Sequence, residues 1–363
     1  MTKENTLKQD RRELRELLQF ALMLELSTIP PYATACYSIK EQGQYDRSAP
    51  QVVNAEPIEV IRQVMVEEML HIVLVANVMN AIGLAPVMND PDQLPKYPRK
   101  LLGDRGTEVR LRRFDPEQVK SFREIERSVE DPRQARKGNY TTIGGFYLYL
   151  QQRLRDAAKT WGEAQIFTGQ IDRQIGKGDY YGAGGAIILV FDLQTACDAI
   201  SKIMDEGEGA DLGKGAGDGD PIPGPKGQSR EDIAHYFKFN EILHSRYYQP
   251  EDGVDDVPSG GDMVVDWSAV NPMRDDPTAA DYADLPDIRA ISDSFNAAYS
   301  ALLDGLNAAF NGNKAQLAGL VPVMYQLRER AQKLLRVPLP NVVPMQTAGP
   351  TWDYIALPAS GRR

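Results

Sequence analysis

Apolar residues at Leu14, Leu17, Leu18, Ala21 and Leu22 keep the i, i+3, i+4, i+7 spacing of one helical face. They predict a helix over about 11–29, which Pro30-Pro31 should end or kink. After a polar stretch at 40–57, a second helix is predicted over about 58–82. Its stripe is Ile61, Val64, Met65, Ile72, Val75, Val78, Met79 and Ile82, with Gly83 placed to cap it. Prolines make 84–115 an irregular crossover. A short helix at 116–127 and a long one at about 142–160 follow. The run Ala186–Asp192 is β-prone or opens the next helix, which covers about 193–206.

Between Gly207 and Gly227 stand eight glycines and three prolines, a loop by composition. A helix at about 229–246 comes next, then an acidic surface excursion at 250–287. Two helices at about 286–311 and 314–336 precede an irregular tail that wraps the body. The pattern is all-α: one domain over 1–363, a bundle with a long crossover, long insertions and extra C-terminal helices.

Composition narrows the function. The 363 residues carry 41 Lys and Arg against 51 Asp and Glu, a net charge of −10, and no basic patch, so nucleic acid is not the expected partner. The longest purely apolar run, Ala186–Phe191, is too short to span a bilayer. No secretory signal is visible in the first residues. Cys36 and Cys197 form no CxxC, which points away from a disulfide framework and towards a reducing cytoplasm. There is no phosphate loop and no GxSxG elbow. The aromatic group Phe146, Tyr147, Tyr149 and the pair Tyr180-Tyr181 read as core or pocket lining.

The chemistry-bearing residues are carboxylates and imidazoles on apolar faces. Glu25 falls within the stripe of Leu14, Leu18, Ala21 and Leu22, where an ionised group is costly unless paired or bound to a metal; a helix-end glutamate is the plainer alternative. Glu68-x-x-His71 points into the stripe of the second helix, with Glu67 rotated off it, and this spacing is the ligand unit of carboxylate-bridged di-metal bundles. Only three histidines exist, so a second imidazole must come from Asp232-x-x-His235 or Glu241-x-x-His244. Periodicity with Ile233, Phe237 and Asn240 favours His244; either histidine also reads as a surface or capping residue.

The segments LQFALMLELSTIPPYATACYSI (18–39) and VEEMLHIVLVANVMNAIGLAP (66–86) resemble the iminophenyl-pyruvate dimer synthase-like branch of ferritin-like proteins, whose best-known members act in violacein and rebeccamycin assembly. The likeness continues through TIGGFYLYL, AQIFTGQIDRQ, FDLQTACDAISKIMDEGEG and AHYFKFNEI to about Met324–Tyr354. It implies a ferritin-like four-helix bundle around a non-haem iron centre of one or two ions, with O2 or peroxide as oxidant and manganese or copper as substitutes. Glu25, Glu68 and His71 match ligand positions. His235, rather than His244, matches the second histidine, preceded by Asp232 or Glu231, and Glu208 is a further candidate ligand. Gly145 stands where the family commonly carries Glu, so the chain lacks a bridge, borrows another carboxylate or has altered chemistry. The implied function is an oxidoreductase acting on a small, amino-acid-derived substrate, with the insertions at 84–115 and 207–227 covering the pocket. Metal storage or delivery without turnover, and a metal-free scaffold, are the alternatives. A homo-oligomer is compatible with all three.

Overall fold

The structure, a computed structural model, describes residues 3–40, 53–128, 131–180, 186–208, 233–249, 251–253 and 256–356, with the side chains of 3–5 and 208 left out. Four long helices form a closed ring: α1 (Lys3–Ser38) packs on α2 (Ala55–Ala81) and α5 (Ile143–Trp161), and α7 (Leu193–Glu208) packs on both α2 and α5. A hairpin of β1 (Arg99–Leu102) and β2 (Arg105–Val109) and the helices α3 (Pro116–Ile125) and α4 (Pro132–Ala135) lie in the connection between α2 and α5. The short α6 (Glu163–Ile166) follows α5. Then α8 (His235–His244) packs against α3, α2 and α7. The pair α9 (Pro286–Phe310) and α10 (Gln316–Leu335) closes the other side, on α2 and α1.

The predicted stripes are the buried faces. Leu14, Leu18, Ala21 and Leu22 of α1 and Ile61, Val64, Ile72, Val75, Val78 and Met79 of α2 all join one apolar core. α2 is apolar enough by composition to cross a membrane, but it is the central helix of the bundle and mostly buried. Its C-terminus is closed as expected: Gly83 has φ +73°, Leu84 N–H donates to Met79 O, and the Arg11 guanidinium donates to Ile82 O at 2.7 Å.

Pro30-Pro31 does not end α1, which runs on to Ser38. A proline within a helix removes an N–H and orphans the carbonyl four residues back. For Pro31 that carbonyl is Ser27 O, and the Tyr97 hydroxyl donates to it at 2.9 Å. The crossover that follows α2 therefore repairs α1. Tyr97→Phe should lower stability by about 1 kcal/mol, read as a lower urea midpoint at unchanged slope.

Other departures have local causes. The β-prone run 186–192 takes no regular structure, because side-chain amides replace a partner strand: Gln174 exchanges two hydrogen bonds with the Val190 backbone and Asn77 donates to Ile188 O. α8 begins at His235, not near 229; residues 209–232, including most of the glycine-rich stretch, lie outside the described residues. The acidic excursion is not all surface: Met263, Ala269, Met273 and Tyr282 are buried. Cys36 and Cys197 are buried and free.

Candidate metal centre

Glu25 leaves the middle of α1, Glu68 and His71 leave α2, Glu126 caps the C-terminus of α3, and His235 opens α8. All five side chains are buried. They form two donor groups, Glu25–Glu68–His71 and Glu68–Glu126–His235, in each of which one ligand-type atom per residue lies within 4.8 Å of the others. Glu68 belongs to both. The imidazole rings stack with centroids 5.6 Å apart.

Each carboxylate has one oxygen tied back by a hydroxyl. Tyr147 donates a short hydrogen bond to Glu25 Oε1, Tyr32 donates to Glu126 Oε1 at 2.5 Å, and the Thr28 hydroxyl lies 2.9 Å from Glu68 Oε2. The remaining oxygens face the imidazoles. Glu25 Oε2 is 3.3 Å from His71 Nδ1, and Glu68 Oε1 is 3.0 Å from His235 Nδ1 and 3.9 Å from His71 Nδ1. Glu126 Oε2 is 3.7 Å from His235 Nδ1. Both histidines thus turn Nδ1 inward. Their Nε2 atoms point outward to a second pair of carboxylates, His71 to Glu206 at 3.1 Å and His235 to Glu67 at 2.7 Å.

This crowding shifts the proton affinity of Glu68 and of both histidines. Burial pushes Glu68 above the ordinary carboxylate range, and the charges of Glu126 and Glu25 add to it. Burial alone would lower His71, but Glu206, Glu25 and Glu68 raise it to about 10; His235 is likewise raised well above its usual value by Glu126, Glu67 and Glu68. Burial also raises the Tyr147 and Tyr32 hydroxyls far out of the titrating range, so both remain donors. In the metal-free chain, protons on imidazole do the work that a cation would do.

The donor set fits a hard to borderline divalent metal: carboxylate oxygens with one imidazole per group, and no thiolate. His235 Nδ1 sharpens the fit. It is buried and makes no hydrogen bond of acceptable geometry, although carboxylate oxygens face it. A cation would complete that atom and separate the carboxylates at once.

Beside the cluster a cavity leaves about 20 Å3 for the centre of a water-sized molecule, room for about one such molecule. Its walls include Tyr147, Ile203, Met204 and two glycines, Gly144 and Gly207. Gly207 sits where a Cβ would stand 3.3 Å from Glu126 Oε2. No wall residue comes from 84–115, so the crossover does not cover this cavity among the described residues.

The ferritin-like family model matches residues 18–244, a span that holds every one of these side chains. The chain belongs to the ferritin-like family. A crystal structure of a ferritin-like protein from Caulobacter vibrioides aligns with 87% of this chain and 94% of its own, with a TM-score of 0.53 and 21% identity, a likeness of fold. No curated protein matches the chain.

This ferritin-like protein brings together four of the residues singled out from its sequence: Glu25, Glu68, His71 and His235. Asp232 and Glu231 lie outside the described residues, as does the Glu208 side chain. His244, which periodicity favoured, is exposed in the last turn of α8, and burial lowers its proton affinity. The stripe of Ile233 and Phe237 belongs instead to a small separate cluster with Ala234 and Tyr248. Glu126, Glu206 and the outward Glu67 are the partners that sequence reasoning missed. Gly145 is buried near the start of α5, its N–H donating to Thr142 Oγ1, and it is the neighbouring Gly144 that lines the cavity.

Proposed function

We propose that Glu25, Glu68 and His71 hold one metal ion and that Glu68, Glu126 and His235 hold a second, with Glu68 shared. On this reading the protein is a non-haem iron-dependent oxidoreductase, with chain 1–363 a single ferritin-like domain. The sharing of one buried carboxylate between two buried donor groups carries the reading. Both histidines turn Nδ1 inward, and each of the three glutamates presents one oxygen to the same interior. Glu126 takes the place of the carboxylate absent at Gly145, borrowed from α3. The resemblance to iminophenyl-pyruvate dimer synthase-like proteins supports a small, amino-acid-derived substrate of specialised metabolism. The two buried free cysteines suit a reducing cytoplasm.

Bound iron would supply one-electron chemistry towards O2 or peroxide. The protein's own residues set the conditions. Tyr147, Tyr32 and Thr28 fix which oxygen of each carboxylate faces inward. Glu206 and Glu67 accept hydrogen bonds from the outward Nε2–H groups and so keep Nδ1 turned to the cluster. Ile203, Met204 and Ile143 give the cavity apolar walls.

The size of that cavity favours a second reading: among the described residues it has room for about one water-sized molecule beside the cluster. A metal-holding protein without organic turnover meets that limit directly. Anaerobic loading with ferrous iron, followed by rapid mixing with O2, separates the two. The oxidoreductase reading expects two irons per chain and a transient absorption that forms and decays within one turnover. Slow featureless oxidation, or uptake well beyond two irons, supports storage. Protein that retains no iron after desalting refutes both.

A further inference from the structure

Each histidine of the cluster is backed by a carboxylate, and each of those carboxylates is gripped by a lysine. Lys238 Nζ lies 3.0 Å from Glu67 Oε1 and 2.7 Å from Glu67 Oε2, and Glu67 Oε2 is 2.7 Å from His235 Nε2. Lys202 Nζ lies 2.5 Å from Glu206 Oε1, and Glu206 Oε2 is 3.1 Å from His71 Nε2. The same lysine–glutamate–histidine order thus appears on both sides of Glu68, built from unrelated stretches of α8 with α2 and of α7 with α2.

Lys238 is the more telling of the two. Its side chain is 4% exposed, and a buried ammonium is costly unless paired. An apolar residue at 238 would pack without that cost. What the lysine adds is a two-oxygen grip on Glu67, which fixes the carboxylate plane and aims one oxygen at Nε2.

We propose that Lys238 and Lys202 are positioning residues for the metal centre: each, through one glutamate, anchors Nε2 of its histidine and so keeps Nδ1 aimed at the cluster, where a bound metal would take the place of its proton. This rests on the two-metal reading given above. The two positions are unequal. The His235 side has a buried lysine holding both oxygens, whereas the His71 side has a lysine 23% exposed holding one. The metal position at His235 therefore depends more strongly on its lysine.

Calorimetric titration with Mn2+ alone, on the full chain, with electron paramagnetic resonance of the loaded protein, tests this. Wild type should bind two Mn2+ with the signal of a coupled pair. Lys238→Met should weaken one of the two by about tenfold or more and, at one equivalent, give the signal of an isolated ion; Lys238→Arg should restore the pair. Lys202→Met, on the more exposed side, should weaken the other position by a smaller factor, and it serves as the readout if Lys238→Met fails to fold. A folded Lys238→Met, or failing that a folded Lys202→Met, whose two affinities stay within twofold of wild type overturns the proposal. So does a loss in Lys238→Met that Lys238→Arg does not recover, since docking of α8 alone would then explain it. Wild type that binds no Mn2+ and no iron overturns the two-metal reading itself, a result distinct from any change confined to the lysine variants.

Discussion

Glu68→Gln is expected to abolish tight binding at both metal positions, whereas Glu126→Gln should cost only the one it serves. Glu68 is the residue common to the two donor groups, and its Oε1 faces both imidazoles. Glutamine keeps the volume and an oxygen for the Thr28 hydroxyl but loses the charge. Elemental analysis after desalting should read two ions per chain in wild type, one in Glu126→Gln and none in Glu68→Gln. Melting should report the same order. At free metal about a hundred times Kd, each occupied position adds about 2.7 kcal/mol, so the metal-dependent rise in Tm should halve in Glu126→Gln and vanish in Glu68→Gln. Equal losses in the two variants would mean that Glu68 is not shared.

The largest expected loss of stability is at Trp352. Its ring stands edge-on to Phe295 and Tyr299, with centroids 4.9 and 5.1 Å away, and its indole N–H donates to Thr34 Oγ1 at 2.8 Å. Thr34 is fully buried in α1. Trp352→Ala should therefore cost about 3–5 kcal/mol, with the stranded hydroxyl of Thr34 adding to the lost packing. Trp352→Phe, which keeps a ring and loses the donor, should cost clearly less. Urea unfolding followed by circular dichroism gives both values; an Ala variant within 1 kcal/mol of wild type would contradict this account of the tail.

The bundle and half of the site were legible in the sequence because both depend on helical period. Glu25, Glu68 and His71 betray themselves as charged or titratable groups inside long apolar stripes. Glu126 gives no such signal: it caps a ten-residue helix, where position relative to a stripe means little. Glu206 stands four residues after Lys202 on α7 and reads as an ordinary surface pair. Glu67 is off the inner stripe of α2, and only the docking of α8 turns that flank into interior. The same tertiary contact misled the choice between histidines. α8 has two buried faces, and period alone selected the one through Phe237 rather than the one through His235, Phe239 and Ile242. The length of α1 was hidden for a different reason: the repair of the carbonyl behind Pro31 comes from Tyr97, far along the chain.

The pairing of Thr34 with Trp352 spans 318 residues, so α1 leaves the ribosome long before the segment after α10 that covers it. At about 5–20 residues per second that wait is roughly 15–65 s. During it the face of α1 destined for the tail, and the aromatic seat on α9, stay unshielded. Synthesis of this protein should lean on chaperone holding through that interval, and truncated translation products should be cleared rather than accumulate as half-built bundles.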